Sequence, residues 1–413
     1  MLNKKQSRIL IIIIVLIGMM ILLWHIPIIN SRVTWRWEIM RAYALGVLYP
    51  VEPAPTPLPP PAVYVTRNAP EPLETQTSLL RQETSPTPTA TLTPLPNSVS
   101  LPAPAWEKQD INNCGPAALT MYLRYWGWQG DQAAISELIK PQRDDRNVNV
   151  EELIYYVRTQ VGWLQVEYRV GGNLEIIKRL LAAGFPVMIE ESFYFDTPFY
   201  PNDDLWAAHY NLLTGYDDQQ AVFISQDSFH GANLKVSYQQ VEEYWQPFNY
   251  VYILLFPPAK LEQIKAIIGT NWDEQQNRQS ALELAQSQTE ETPQNAYVWF
   301  NVGTNLVYFE QYVDAALAYD QARQLGLPQR MYRYQFGPFF AYFHSGRIDD
   351  LMALAEYALK RTPNSEEALM WRGWAYYRQG QVNQAIDDFR AALDQNPNDQ
   401  DAQYALDFVL NNP

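Results

Sequence analysis

The sequence predicts an α+β domain followed by an all-α repeat solenoid, both behind a single apolar segment of membrane-spanning length. Three observations predict it. Residues 105–258 mix helical apolar spacing with strand-like runs, residues 262–413 are helical and self-similar, and residues 9–29 carry no formal charge. A chain of 413 residues is also too long for one compact core, which points to more than one folded domain.

The apolar run ILIIIIVLIGMMILLWHIPII contains His25 as its only titratable group. At 1.5 Å per residue it reaches roughly 31 Å, the thickness of a bilayer's hydrocarbon core. The first small-x-small triplet, Ala42-Tyr43-Ala44, lies well downstream, past Arg32 and Arg36. The segment therefore reads as an uncleaved signal anchor, leaving residues 1–8 inside and exporting the rest. Flanking charge decides little, with Lys4, Lys5 and Arg8 facing three arginines. Next comes a juxtamembrane segment and Pro/Thr/Ser-rich linker, residues 30–104. Fifteen of the 30 prolines fall between 50 and 104. Such density forbids helix, so the stretch is expected to be a spacer spanning up to roughly 170 Å. A docking site for a proline-binding module is the sharper alternative.

In the α+β domain the spacing predicts helices at 114–126, 131–140, 150–160 and 173–183. Strands are expected at 164–170, 186–193, 208–216, 221–227 and 249–256. Beyond residue 262 a unit of about 34 residues recurs. From 366 it places Gly373, Tyr376, Gly380, Ala385, Phe389, Ala392 and Pro397. From 296 it places Trp299, Gly303, Ala315, Tyr319 and Ala322. From 332 it is weaker, with Tyr342, Gly346, Ala358 and Pro363. These read as tetratricopeptide-like repeats, in which small residues let antiparallel helices approach and stacking buries a shared apolar face.

Acidic residues outnumber basic ones, 45 to 30, giving a net charge of −15 that argues against nucleic acid as a partner. A single cysteine excludes an intramolecular disulfide and cysteine-rich metal sites. No metal site and no cofactor is expected.

That cysteine, Cys114, lies in QDINNCGPAALTMYLRYWGW. Pro116 suits a first helical turn, which puts Cys114 at a helix N-terminus, where unpaired amides favour thiolate. Asn112 and Asn113 are candidates to cap that helix. A nucleophilic thiol needs a base and an orienting group. His25 falls in the anchor and His344 in a repeat, leaving His209 and His230. His209 opens HYNLLTGYDDQQAVFISQDS, two strand-like runs around a polar turn. A hairpin centred on residue 218 sets His209 opposite Asp227, on one face. A centre shifted by half a residue favours Ser228 instead. His230 reads as a surface loop residue, and Asp217 and Asp218, rivals for the carboxylate role, read as a solvated turn. Asp203-Asp204 reads as a polar loop.

In order, Gln109, Cys114-Gly115-Pro116-Ala117, His209 with Thr214-Gly215-Tyr216-Asp217-Asp218, and Asp227 resemble the bacteriocin-processing, double-glycine-type cysteine peptidases. They are closer still to stand-alone peptidase-like relatives in bacteria. The resemblance covers about residues 105–258 and implies a papain-like fold. It implies Cys114 as nucleophile, His209 as general base and then acid, Asp227 as orienting carboxylate and Gln109 as an oxyanion-hole donor. Relatives usually follow the aspartate with proline, whereas Ser228 stands here, and no GxxxxGK[ST] loop of an ATP-driven exporter occurs. The expectation is a membrane-anchored, extracytoplasmic cysteine peptidase acting on a peptide or protein, with repeats that bind a partner. The alternative is a non-catalytic peptidase-like scaffold, and acyl transfer to an amine stays open beside hydrolysis.

Overall fold

The structure is a computed structural model that describes residues 52–59, 94–142, 145–195 and 204–412, with scattered positions between 15 and 50. The chain divides into two compact units, residues 1–52 with 194–205, and residues 53–193 with 206–413. The anchor expected at 9–29 lies outside the described residues apart from Val15, Gly18 and Met19. Among the described residues no helix is long and apolar enough to cross a membrane. His25 and Asp203 also fall outside the described residues.

The larger unit begins its α+β part at β1 (Ser98–Ser100). There follow α1 (Cys114–Tyr125), α2 (Gln132–Ile139), α3 (Val150–Gln160), β2 (Gln165–Arg169), α4 (Leu174–Ala182), β3 (Val187–Tyr194), β4 (Trp206–Asp217) and β5 (Val222–Asp227). The part closes with β6 (Gly231–Ser237), α5 (Tyr238–Trp245) and β7 (Tyr252–Phe256). Among the described residues these strands form one sheet in the order β2-β7-β3-β4-β5-β6, with β1 pairing on β4. The four predicted helices and five predicted strands are all present, with ends within two or three residues.

Two strands escape the sequence reading. β6 is an edge strand whose only apolar alternation is Leu234 and Val236, too short a signal against the Gly231 turn. β1 lies inside the stretch assigned to the linker, yet pairs Ser100 with Gly215. A β-carbon at Gly215 would stand 2.4 Å from the Val99 carbonyl oxygen, so only glycine admits β1 there. α1 is apolar on all sides because it is buried on all sides, from Gly115 to Leu123.

α6 (Leu261–Ile268) belongs to this part as well, since Ile264 and Ile268 join the core of α4, β3 and β7. The repeats proper run through α7 (Glu274–Glu291), α8 (Ala296–Tyr308), α9 (Tyr312–Leu325), α10 (Gly337–His344), α11 (Ile348–Arg361), α12 (Glu366–Arg378), α13 (Val382–Gln395) and α14 (Gln400–Asn411). The repeat glycine exists to admit the repeat aromatic. A β-carbon on Gly303 would lie 2.8 Å from the Tyr319 ring, and one on Gly373 2.6 Å from Phe389. The middle unit carries Phe339 and Ala355 at those two places, so large and small are exchanged and both stay buried.

The repeats are fused to the α+β part. One apolar cluster runs from Leu119 and Tyr122 to Phe300, Tyr319 and Tyr342. Asparagines of the repeats satisfy backbone groups across the junction: Asn277 both accepts from Val170 N (3.0 Å) and donates to Val170 O (2.8 Å). Asn301 donates to Gln246 O at 2.9 Å, and Asn396 to Ile139 O at 3.2 Å.

Part of the expected spacer is docked. Residues 53–59, which hold neither helix nor strand, lie against the repeats. Arg347 Nη2 donates to Leu58 O (3.1 Å), Leu58 N donates to Asp350 Oδ1 (3.0 Å), and Arg323 donates to Pro55 O. Proline's missing amide is no handicap here, because the contacts read carbonyls and the one leucine amide.

Candidate active site

Cys114 is the first residue of α1, as the sequence predicts. Asn113 stands at the N-cap, but its side-chain amide donates to Gln132 Oε1 (2.7 Å) instead of capping α1. Asn112 takes a left-handed turn with φ 51°. A β-carbon on Gly115 would meet Val148 and the Tyr210 ring at 3.2 and 3.3 Å, so the glycine lets the start of α1 press against β4.

His209 and Asp227 come together, though not in the register expected. β4 pairs with β5 as Asn211↔Asp227 and Leu213↔Ser225, then shifts at a bulge to Gly215↔Ile224. His209 is therefore diagonal to Asp227. A shift of two residues preserves the face, and diagonal neighbours remain within reach of long side chains. His209 Nε2 lies 2.9 Å from Asp227 Oδ1, and both residues are buried. The other imidazole nitrogen is left for Cys114, with which His209 shares a side-chain hydrogen bond.

The electrostatics follow from that chain. Burial by itself raises the Cys114 thiol, but the hydrogen bond and charge of His209, with backbone hydrogen bonds at Tyr210 and Gly115, bring it below its ordinary value. Burial works against a charged His209, yet hydrogen bonds to Asp227 and Cys114 push it up to about 10. Burial also opposes the Asp227 carboxylate, and hydrogen bonds from His209 and His230 hold it far below the carboxylate range. A lowered thiol beside a raised imidazole favours the passage of a proton from Cys114 to His209.

Gln109 is tied to the same corner. Its backbone N donates to Ser228 O (3.0 Å), and Ser228 Oγ donates to Gln109 Oε1 (2.9 Å). Trp106 Nε1 reaches Asp227 O at 2.9 Å. Residues 106–109 thus strap the end of β5 toward the start of α1. Ser228, standing where relatives usually have proline, is the residue that orients the Gln109 amide.

Some participants were not foreseen. His230, expected on a surface loop, is half exposed but places Nδ1 2.6 Å from Asp227 Oδ2, while the Phe229 and His230 amides donate to Oδ1. The short i,i+3 spacing from Asp227 was the available signal. Glu191 on β3 accepts from Asn211, and Asn211 Oδ1 accepts from Ser225 Oγ at 3.1 Å. Burial pushes Glu191 up to about 7. Nothing in the sequence pairs β3 with β4, so this buried carboxylate was invisible there. The rivals stay apart: Asp217 accepts from the Gln219 and Gln220 amides at the turn, and Asp218 from Lys178 and Tyr238. His344 sits in α10, stacked on Tyr312 with ring centroids 4.5 Å apart. Among the described residues no cluster suits a metal ion.

A helix that begins at the cysteine, set against an antiparallel sheet that carries the histidine and the aspartate, is the arrangement expected from the resemblance in the sequence. Residues 98–253 match the model of the Peptidase_C39 like family, and residues 366–399 match the tetratricopeptide repeat. The chain therefore carries a C39-like peptidase domain in front of tetratricopeptide repeats. Among solved structures it is similar to a putative C39-like peptidase from Bacillus anthracis. That likeness has 18% identity and a TM-score of 0.31, and covers 39% of this chain and 98% of that one. A double glycine motif protease from an AMS/PCAT transporter, in complex with the leader peptide, is 17% identical. It covers 38% of this chain and 94% of that one, with a TM-score of 0.28. On the repeat side, YrrB, a TPR protein with an unusual peptide-binding site, is 16% identical, covering 36% of this chain and 74% of that one with a TM-score of 0.29. No curated protein matches the chain.

Proposed function

We propose that the protein is a cysteine peptidase in which Cys114 attacks a peptide carbonyl. The observation that carries this reading is the continuous hydrogen-bonded path from Cys114 through His209 to Asp227. The thiolate adds to the carbonyl carbon, and the resulting oxyanion takes hydrogen bonds from the Cys114 backbone amide and Gln109 Nε2. The peptide C–N bond breaks as His209 gives its proton to the departing amine. Water, activated by the now neutral imidazole, then hydrolyses the thioester. Asp227 holds the ring in the orientation both steps require.

The apolar segment 9–29 supports a single-pass membrane anchor, with the peptidase domain and repeats on the extracytoplasmic side. The repeats serve to bind substrate or a protein partner. Full-length protein in detergent, offered an internally quenched peptide library at neutral pH, should cleave a subset, and Cys114→Ala should cleave none. Equal behaviour of the two would leave a non-catalytic peptide-binding module. External protease added to intact cells should digest the folded domains if the anchor places them outside.

A further inference from the structure

Between the peptidase domain and the repeats lies a cavity of about 760 Å³. α3, β2 and Glu190 of β3 form one wall, and α8, α10, α12 and α14 contribute the other. Its carboxylates include Glu152, Glu190, Glu366, Glu367, Asp399 and Asp401. Among the described lining residues Arg278 is the only base, and it is engaged by the Tyr168 hydroxyl (3.1 Å) and stacked on the Tyr168 and Tyr308 rings.

Most of these acids already have partners. Glu152 accepts from Asn149 N at 2.7 Å. Glu367 takes the Asn147 and Asn149 amides and Ser365 Oγ, and Asp399 caps α14. Glu366 differs. It is 3% exposed, lines the cavity, and its Oε2 has no hydrogen-bond partner. A buried carboxylate oxygen without a donor is costly to fold around unless something supplies the donor. The remaining wall is aromatic, with Tyr155, Phe248, Phe340 and Trp371. Ring faces beside carboxylates are what a lysine ammonium or arginine guanidinium prefers.

We propose that this cavity binds a basic side chain of the substrate, a lysine or arginine several residues away from the bond presented to Cys114. The proposal rests on the peptidase reading above and names the substrate class of that site. Glu190 and Tyr334, both lining the cavity, feel the charge of Cys114, although the thiol itself is not part of the lining. Tyr334 also sits among Arg146, Arg330 and Arg333, so positive charge is already present near the thiol. The cation therefore belongs at the other cluster, where Glu152, Glu366 and Glu367 repel one another. Burial raises all three; the charge of Glu367 raises Glu152 and Glu366 further, that of Asp145 helps bring Glu367 up to about 7, and a bound cation offsets this repulsion. Substrate is thus read by two modules at once, the bond by the peptidase domain and the distant charge at the junction with the repeats.

The test measures binding without turnover, in full-length Cys114→Ala. Fluorescein-labelled (Gly-Lys)4 and its Nε-acetylated counterpart are titrated at neutral pH by fluorescence anisotropy. The charged peptide is expected to bind at least about tenfold more tightly, and Glu366→Gln should remove most of that difference while leaving the acetylated peptide unaffected. Should Glu366→Gln fail to fold, the exposed Asp401→Asn serves, with an expected weakening of about threefold. Equal binding of the two peptides overturns the proposal, as does undiminished (Gly-Lys)4 binding by the carboxylate variants. Absence of cleavage by the wild type would instead count against the peptidase reading, and leaves this binding result standing.

Discussion

His209 stands one diagonal step from Asp227 across the β4–β5 pair, with Nε2 2.9 Å from Oδ1, while Asn211 occupies the place directly opposite. The diagonal matters because it leaves the Asp227 side chain room for a second imidazole, that of His230 at 2.6 Å.

Asp227→Asn should lower kcat/KM by about 10³ to 10⁴, as loss of the orienting carboxylate does in such triads. The pH dependence has a definite sign. The folded His209 sits at about 10, above its ordinary value near 6.5. Its contribution to stability is complete below about 6.5 and is lost as pH rises through about 10. Urea midpoints of the wild type should therefore fall between pH 7 and 10.5, and those of Asp227→Asn should fall less.

His230→Ala tests the second imidazole. Being half exposed, it steadies the carboxylate without touching Cys114. The expected loss in kcat/KM is about tenfold, far short of that for His209→Ala, with the alkaline limb of the pH profile moved by less than in Asp227→Asn. A loss equal to that of His209→Ala would make His230 part of the proton path.

Gly373→Ala puts a β-carbon 2.6 Å from the Phe389 ring. Overpacking of this kind costs about 1–3 kcal/mol and should lower the melting temperature measurably. The double variant with Phe389→Leu should regain part of the loss, since the smaller side chain vacates the contact.

Arg347→Ala breaks a buried network in which Nη1 lies 2.5 Å from Asp320 Oδ2 and Nη2 2.8 Å from Asp350 Oδ2. Breaking a buried ion pair costs up to about 3–5 kcal/mol, and less here because Arg323 still faces Asp350 at 3.6 Å and the Tyr342 hydroxyl still donates to Asp320. Arg347 also holds the Leu58 carbonyl, so proteolysis within residues 53–59 should accelerate in the variant, visible as an early nick by mass spectrometry.

Much of this molecule was legible in its sequence, for reasons that can be named. Pro116 and the apolar run to Leu123 fixed α1, and with it the place of Cys114. The Gly303–Tyr319 and Gly373–Phe389 pairs left a period because each glycine makes room for an aromatic in the next helix. The β4–β5 register departs from the expected one because the turn is centred between residues 219 and 220 and not on 218. The bulge near Thr214, which leaves no mark in composition, takes back one residue of that slip and leaves a shift of two. Face parity survived the error, so His209 and Asp227 still met. Contacts between segments distant in sequence were not legible: β1 on β4, Glu191 beside Asn211, residues 53–59 on the repeats, and the acidic cavity at the junction. Each depends on tertiary placement of residues whose own neighbours in sequence are unremarkable.

Because the chain has one cysteine, alkylation by iodoacetamide reports on Cys114 alone. Its rate against pH, in wild type and His209→Ala, is the most direct test of the thiolate–imidazolium pair. The wild type should react at lower pH than His209→Ala, which should gain reactivity only as pH approaches that of an ordinary thiol, near 8.5. Superimposable profiles, both rising like an ordinary thiol, would contradict the pairing of Cys114 with His209 on which the proposed chemistry depends.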